Sequence, residues 1–540
     1  MSFFERSLRV GYASFSPVVV DNEPNGSLVC VGEFNFLCPL RAGRKEWSAL
    51  VVLILAVTLL AIDGTVLYMA VPALTADLAP TATQILWIGD IYSFVLAGFL
   101  VTMGNVADRI GRKKLLMIGS VCFGLASVLA AFAPSPEILI AARALLGIAG
   151  ATIMPSTLSI IRNLFQDPIQ RSRAIAIWSA GAMAGGAVGP LVGGALLEHF
   201  WWGSVFLINV PVIILIVVLG AMLLPESKNP DAVRIDLVSA VLSVCSIVPV
   251  VYAIKHVISD GFDYLVLGTL LFGLAAGFLF IRRQRGLTTP LVDISLFKIP
   301  AFSGAVASNA LAIFAFFGLL FFFSQYLQLV RGYSPFWAGM AEMPATIASL
   351  AVVLLVGVVL SRLGLGRAIA AGLLIGALGL AALGLSEGMP GYTGLGISLA
   401  IIGLGTGLAM TLSTDAVVSA APPARAGAAS SISETAYEMG IALGIGVLGS
   451  LQTAIYRANL QIPEGTPDPL AEAMNESLAS AAGALGSSDA ELLAVAQGAF
   501  THGMQITAYI ASLLLVIAAF IAWRLIPSTP ISKEETRAEH

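Results

Sequence analysis

Charge is what this chain has least of. Asp, Glu, Lys and Arg make up 11% of its 540 residues, against about 25% in an ordinary soluble domain. With a mean hydropathy of +0.91, that scarcity excludes a water-facing globular core and points to a polytopic membrane protein. Histidine is almost as scarce. His199, His256, His502 and His540 are scattered with no ligand spacing, so no metal site is expected. Cys30, Cys38, Cys122 and Cys245 show no metal or disulfide framework; Cys122 and Cys245 lie in apolar runs and read as packing residues. A secretory leader is missing too. Val18, Val19 and Val20 are followed at once by Asp21, Asn22 and Glu23, which leaves no apolar h-region. Residues 1–46 read as a poorly ordered cytoplasmic tail or as the product of a start site placed too early.

Long apolar runs are abundant. A membrane-spanning helix needs about 20 predominantly apolar residues, and fourteen segments qualify: 48–70, 84–104, 115–132, 136–161, 174–197, 203–224, 237–254, 264–281, 301–327, 335–360, 367–385, 395–417, 427–453 and 502–526. The 28 lysines and arginines test the count. With both termini inside, Lys255, Arg331 and Arg457 alone fall outside, Arg143 alone falls within a span, and all the others lie inside. The positive-inside rule predicts this asymmetry, and an error of one span would scramble it.

The spans form a repeat. Gly104, Arg109 and Gly111 end span 2, and Gly357, Arg362 and Gly364 end span 10 in the same register, with Ser361 in place of Asp108. The fold class expected is an all-α membrane protein of two six-helix bundles, over 47–225 and 299–526. Two helices within 226–298 are inserted between them, and 527–540 forms a cytoplasmic tail. Paired repeats around a central site are the architecture of alternating-access transporters. The long loop 454–501 falls outside, is acidic, and contains a candidate surface helix at 470–482.

Against this background five acids stand out within the spans: Asp63, Asp90, Asp415, Glu434 and Glu438. A charge at the centre of a membrane helix costs about 2.5–3.5 kcal/mol on insertion scales, so an acid there is a functional candidate. Glu434 and Glu438 are four apart and share a helix face; low dielectric and mutual repulsion favour one of them neutral. Such a group can hold a proton or a cation but not both, and competition at one site is enough for exchange. The spans hold only Arg143 as an opposing base. Tyr68, Trp87, Tyr92 and Tyr437 lie near the acids, and aromatic faces attract quaternary ammonium groups. Trp87 reads equally as part of an interfacial belt, and Phe314–Phe323 reads as helix packing rather than pocket. Asp415 lies near the cytoplasmic end of its span, and its role is left open.

Several strings carry a resemblance. Gly104, Asp108, Arg109, Gly111 and Arg112 sit in GNVADRIGRKK, a tight basic turn in which Asp108 is placed to accept from helix N-terminal amides or from a basic partner. It resembles the loop 2–3 signature of the major facilitator superfamily. Gly181, Gly185, Gly189 and Gly193 form a smooth ridge for close helix approach. With Pro190 and Gly194 they resemble the antiporter motif of that superfamily's drug:proton antiporters. The string around Asp63 resembles the first-span motif of the fourteen-span drug:proton antiporters, and Trp87-Ile-Gly-Asp90-Ile-Tyr92-Ser93, with the acid pair of span 13, resembles their branch that exports quaternary ammonium compounds and methyl viologen, the QacA and SmvA type.

That resemblance, covering about residues 46–526, implies a proton-coupled exporter of lipophilic cations in the bacterial inner membrane. Its partners would be small lipophilic cations, protons and lipid, with no nucleic acid. A monomer without cofactor, driven by the proton gradient, is expected. It implies that Asp63, Asp90, Glu434, Glu438 and Arg143 handle protons or cations. An exporter of another metabolite shares the fold but calls for more bases in the central spans. A membrane-embedded enzyme calls for a clustered acid or His/Asp set, and a channel needs no antiporter motif.

Overall fold

The computed structural model describes residues 42–528, apart from 229–235, 260, 288–289, 291, 353–354, 423–425 and 486–488. The tails carrying Cys30, Cys38 and His540 lie outside the described residues. Helix dominates because the runs are long, apolar and largely free of strand punctuation. In order the helices are α1 (Arg44–Leu78), α2 (Ala82–Ile110), α3 (Arg112–Ala131), α4 (Pro136–Leu164), α5 (Pro168–His199), α6 (Ser204–Leu207), α7 (Asn209–Leu223), α8 (Leu237–Ser259), α9 (Tyr264–Gly286), α10 (Pro300–Gln325), α11 (Pro335–Ala351), α12 (Val356–Leu363), α13 (Leu365–Glu387), α14 (Thr393–Ala420), α15 (Ala426–Leu443), α16 (Gly449–Asn459), α17 (Asp468–Glu476), α18 (Leu478–Leu485) and α19 (Ala490–Leu525). One π-turn, Tyr326–Val330, extends α10, and another, Gly444–Leu448, joins α15 to α16.

Among the described residues 13 helices are long and apolar enough to cross a membrane, and α11 with α12, bent by 57°, makes a fourteenth if taken as one span. The described residues thus give 13 or 14 spans against the fourteen expected, with span 10 divided between two helices. The loop expected over 454–501 is shorter, because α16 runs on to Asn459 and α19 begins at Ala490. The surface helix expected at 470–482 is present as two, α17 and α18.

Two large apolar cores are seen. One is drawn from α1 to α7, from Ala49 to Leu224. The other runs from Leu296 to Ile526 and also takes in Tyr68, Met69, Val71, Ile85 and Leu86 of α1 and α2. A third, small core contains one buried residue from each of α2, α8 and α15: Phe94, Val251 and Ala442. The α8–α9 hairpin is tied at its base by Arg283, which donates to Asp236 at 2.9 Å. Burial works to raise the Asp236 carboxyl, but hydrogen bonds from Arg283 and Ser239 outweigh it and hold the group below its ordinary range.

The helix ends define two faces, named here for the α1–α2 turn (the Thr81 face) and the α2–α3 turn (the Gly111 face). The hydrogen bonds that join α1–α7 to α10–α19 lie toward the Thr81 face. Ser324 donates to Tyr68 O at 3.0 Å and Gln328 to Met69 O at 3.1 Å, and Glu476 of α17 accepts from Ala82 N. Thr81 and Gln84 form a reciprocal capping box at the same place, which fixes where α2 begins. Backbone meets backbone there too. A Cβ added to Gly194 of α5 would lie 2.5 Å from Pro335 O, and one on Gly339 of α11 would lie 2.6 Å from Pro190 O.

Candidate functional site

The antiporter-like ridge is a packing device on this chain. Gly181 and Gly185 lie against Ile54 and Thr58 of α1, and Gly189 and Gly193 against Thr65 and Val66. Thr58 donates to Gly181 O at 3.0 Å and Thr65 to Gly186 O at 3.3 Å. The close approach of α5 fixes α1, and α1 carries Asp63.

Asp63 is fully buried and belongs to a network that ties five helices together. Arg143 of α4 donates to it at 3.1 Å and Asn209 of α7 at 2.7 Å. Asn209 also donates to Ser127 of α3 at 3.1 Å, and Arg143 Nε to Ile88 O of α2 at 3.2 Å. The guanidinium lies 4.7 Å from the Tyr92 ring centroid. The two expected site residues Asp63 and Arg143 thus meet, as an ion pair shielded from water.

Asp90 pairs elsewhere. Its carboxylate lies 2.5 Å from Lys255 Nζ of α8, and both side chains are buried. This corrects two readings. Lys255 is not in an external loop, because α8 continues to Ser259. Arg143 is also not the lone buried base. A lysine at an apolar run's edge reads as a boundary, yet here a carboxylate from another helix stabilises it inside. Trp87, whose belt reading was open, presents its ring face to the same ammonium at 3.8 Å.

Glu438 and Glu434 remain without an ion-pair partner among the described residues. One Glu438 oxygen is buried with no hydrogen-bond partner. Tyr437 packs edge-on against Phe317 at 6.1 Å, and Tyr68 edge-on against Phe321 at 5.4 Å. The phenylalanine run is therefore packing, but part of it packs against the aromatic candidates. Asp415 is exposed near the Gly111 face. Two acids that the sequence reading passed over, Glu342 of α11 and Glu387 of α13, are buried with neither oxygen hydrogen-bonded; the available signal was an acid inside or at the end of a span. Among the described residues no group of three or more His, Cys, Asp and Glu could hold a metal ion.

On the Gly111 face Asp108 takes its basic partner from within the motif, Arg112 at 2.8 Å. The helix N-terminus is capped by a residue the sequence reading missed. Glu226 accepts from Lys113 N at 3.3 Å and Lys114 N at 3.2 Å at the start of α3, where the macrodipole favours an anion. Gly111 has φ +117°, and a Cβ there would lie 2.6 Å from Glu226 Oε1. Glu226→Gln is expected to lower stability by about 0.3–1 kcal/mol, read as a small drop in melting midpoint that high salt diminishes. A drop insensitive to salt would assign Glu226 a packing role instead.

The arrangement leaves an acid pair on α15 beside aromatic rings from α1, α2 and α10, flanked by two neutralised ion pairs. The Major Facilitator Superfamily profile matches residues 53–445. The multidrug efflux pump LfrA of Mycolicibacterium smegmatis is 44% identical over 485 residues, covering 89% of this chain and 96% of that protein. The methyl viologen resistance protein SmvA of Salmonella typhimurium is 38% identical over 423 residues, covering 78% and 85%. Among solved structures, the bacterial homologue of the human lysosomal transporter Spinster, inward-facing and unoccupied, aligns with a TM-score of 0.62 at 18% identity. It covers 90% of this chain and 99% of that one, a likeness of fold alone.

Proposed function

The chain belongs to the Major Facilitator Superfamily, and from that premise we propose that it is a proton-coupled antiporter that exports lipophilic organic cations from the cell across the inner membrane. The observation that carries the reading is the contrast among the buried acids. Asp63 and Asp90 have bases of their own, Arg143 and Lys255. Glu438 is 9% exposed and has one oxygen without a partner; Glu342 and Glu387 are also buried and unsatisfied, but Glu438 alone of these three shares its helix face with a second acid and adjoins the aromatic Tyr437, and it is the acid assigned to exchange a proton for a cation. Glu434, one turn away, raises the electrostatic cost of ionising both. The likeness to a multidrug efflux pump and to a methyl viologen resistance protein supports the substrate class.

The positive-inside asymmetry supports placing the Gly111 face in the cytoplasm. The contacts joining the two helix groups then close the outer side, and alternating access exchanges that closure for one at the Gly111 face. Membrane potential contributes about 2.3 kcal/mol per charge per 100 mV, so it helps drive export only when the cycle imports more protons than the cationic charge it exports.

The test is ethidium transport into or out of proteoliposomes under an imposed pH gradient. Wild type is expected to transport only with the gradient, and Glu438→Gln to lose gradient-driven transport by about 100-fold or more while still binding ethidium more weakly. Transport that ignores the gradient, or that survives Glu438→Gln unchanged, would sink the reading.

A further inference from the structure

Helix α8 lies on a seam. It packs along α2, where a Cβ on Gly98 would lie 2.6 Å from a Val244 methyl. It also packs on the π-turn Gly444–Leu448, where a Cβ on Gly446 would lie 2.8 Å from Lys255 Cε and 3.0 Å from Asp90 Oδ2. Only a glycine lets that turn come so close. The ammonium of Lys255 therefore lies between the Asp90 carboxylate of α2 at 2.5 Å and the Trp87 ring at 3.8 Å, with Gly446 beside its Cε and the same carboxylate. Trp87 is itself backed by the Tyr252 ring of α8, stacked at 6.5 Å.

A carboxylate beside an aromatic face is a general solution for holding an organic ammonium ion. A buried ion pair is weak evidence for stability, because desolvating both charges offsets most of their attraction. This one joins α2 to α8 and is covered by the Gly446 turn, which belongs to the other helix group. We propose that Asp90 and Trp87 form a binding site for organic ammonium ions and that Lys255 is its tethered occupant, displaced by a free cation when α2 and the Gly446 turn separate. The inserted helices then have a task. Lysine returning to Asp90 as the face closes competes with the cation and drives its release. Only the identity of the displacing cation rests on the export reading; the site itself rests on geometry.

The test uses the full chain in nanodiscs and thermal unfolding. Lys255→Ala should lower the melting midpoint, since Asp90 is left buried without its partner. n-Propylammonium, which replaces the Cγ, Cδ, Cε and Nζ that alanine lacks, should restore it saturably by about 3 °C or more. The same amine should leave wild type unshifted, because its site is filled, and should leave Lys255→Ala/Asp90→Asn unshifted, because its carboxylate is gone. If Lys255→Ala does not fold, the same titration runs on Lys255→Met with the ammonium ion, which fits the space of Nζ alone. Equal shifts in all three proteins, or none in the lysine variants, would overturn the proposal. Loss of ethidium export by wild type would instead count against the export reading, since the amine titration requires no transport.

Discussion

Arg143→Met is expected to cost about 3–5 kcal/mol of stability and to abolish transport. The guanidinium is 1% exposed and lies 3.1 Å from an Asp63 carboxylate that is fully buried. Removing it strands that carboxylate and leaves Ile88 O without its 3.2 Å donor. Asn209 continues to donate at 2.7 Å, but a neutral amide does not offset a full charge. Arg143→Lys is expected to recover only part of the loss. A point ammonium cannot reach both Asp63 and Ile88 O while presenting a planar face to Tyr92 at 4.7 Å, as a guanidinium does. The informative comparison is Asp63→Asn/Arg143→Met, which removes both charges and should regain most of the stability. Melting midpoints of the purified proteins decide the matter. If the double variant melts no higher than Arg143→Met, the two residues are not coupled, and the network is not what joins these five helices.

That network shows how far the sequence could be read. Asp63 and Arg143 each stand out as charges within apolar runs, a local property that composition reveals. That they meet each other, and that Asp90 meets Lys255, depends on how α1, α2, α4 and α8 are laid side by side, which no local pattern encodes. Lys255 shows the difficulty most clearly. At the edge of an apolar run a lysine usually snorkels to water, so it reads as the end of a span. Only a carboxylate presented by another helix keeps it inside. Glu226 was illegible for a similar reason: it follows α7 in sequence but caps α3. The spans themselves were legible because an apolar run of the required length has few alternatives in lipid. The bend between α11 and α12 was not, since Val352 to Val356 continues the apolar run without interruption. Glycine spacing announced the α5 ridge but not that its next glycine, Gly194, faces a different helix.

Gly194→Leu should act on conformation where Gly185→Leu acts on folding. A Cβ at Gly185 would lie 2.5 Å from Thr58 O of α1, within the core of α1–α7, so a larger side chain there wedges that core apart and lowers stability. A Cβ at Gly194 would lie 2.5 Å from Pro335 O and 2.7 Å from Phe336 Cα of α11. These are backbone atoms, which cannot turn aside as a flexible side chain can. The α1–α5 contact need not change, because Gly181, Gly185, Gly189 and Gly193 form it. The Thr81 face has to open instead. Overpacking of this kind costs about 1–3 kcal/mol, and a bias of that size changes the ratio of closed to open forms about 5- to 150-fold. Spin labels at Phe200→Cys and Met389→Cys, both more than half exposed on the Thr81 face, would report it by pulsed electron resonance. The expected result is a longer interlabel distance in Gly194→Leu at nearly unchanged melting midpoint, and the reverse pattern in Gly185→Leu. An unchanged distance distribution in Gly194→Leu would mean that the α5–α11 contact does not hold the face shut. Closure would then rest on the Ser324 and Gln328 hydrogen bonds to α1 and on the α8 seam.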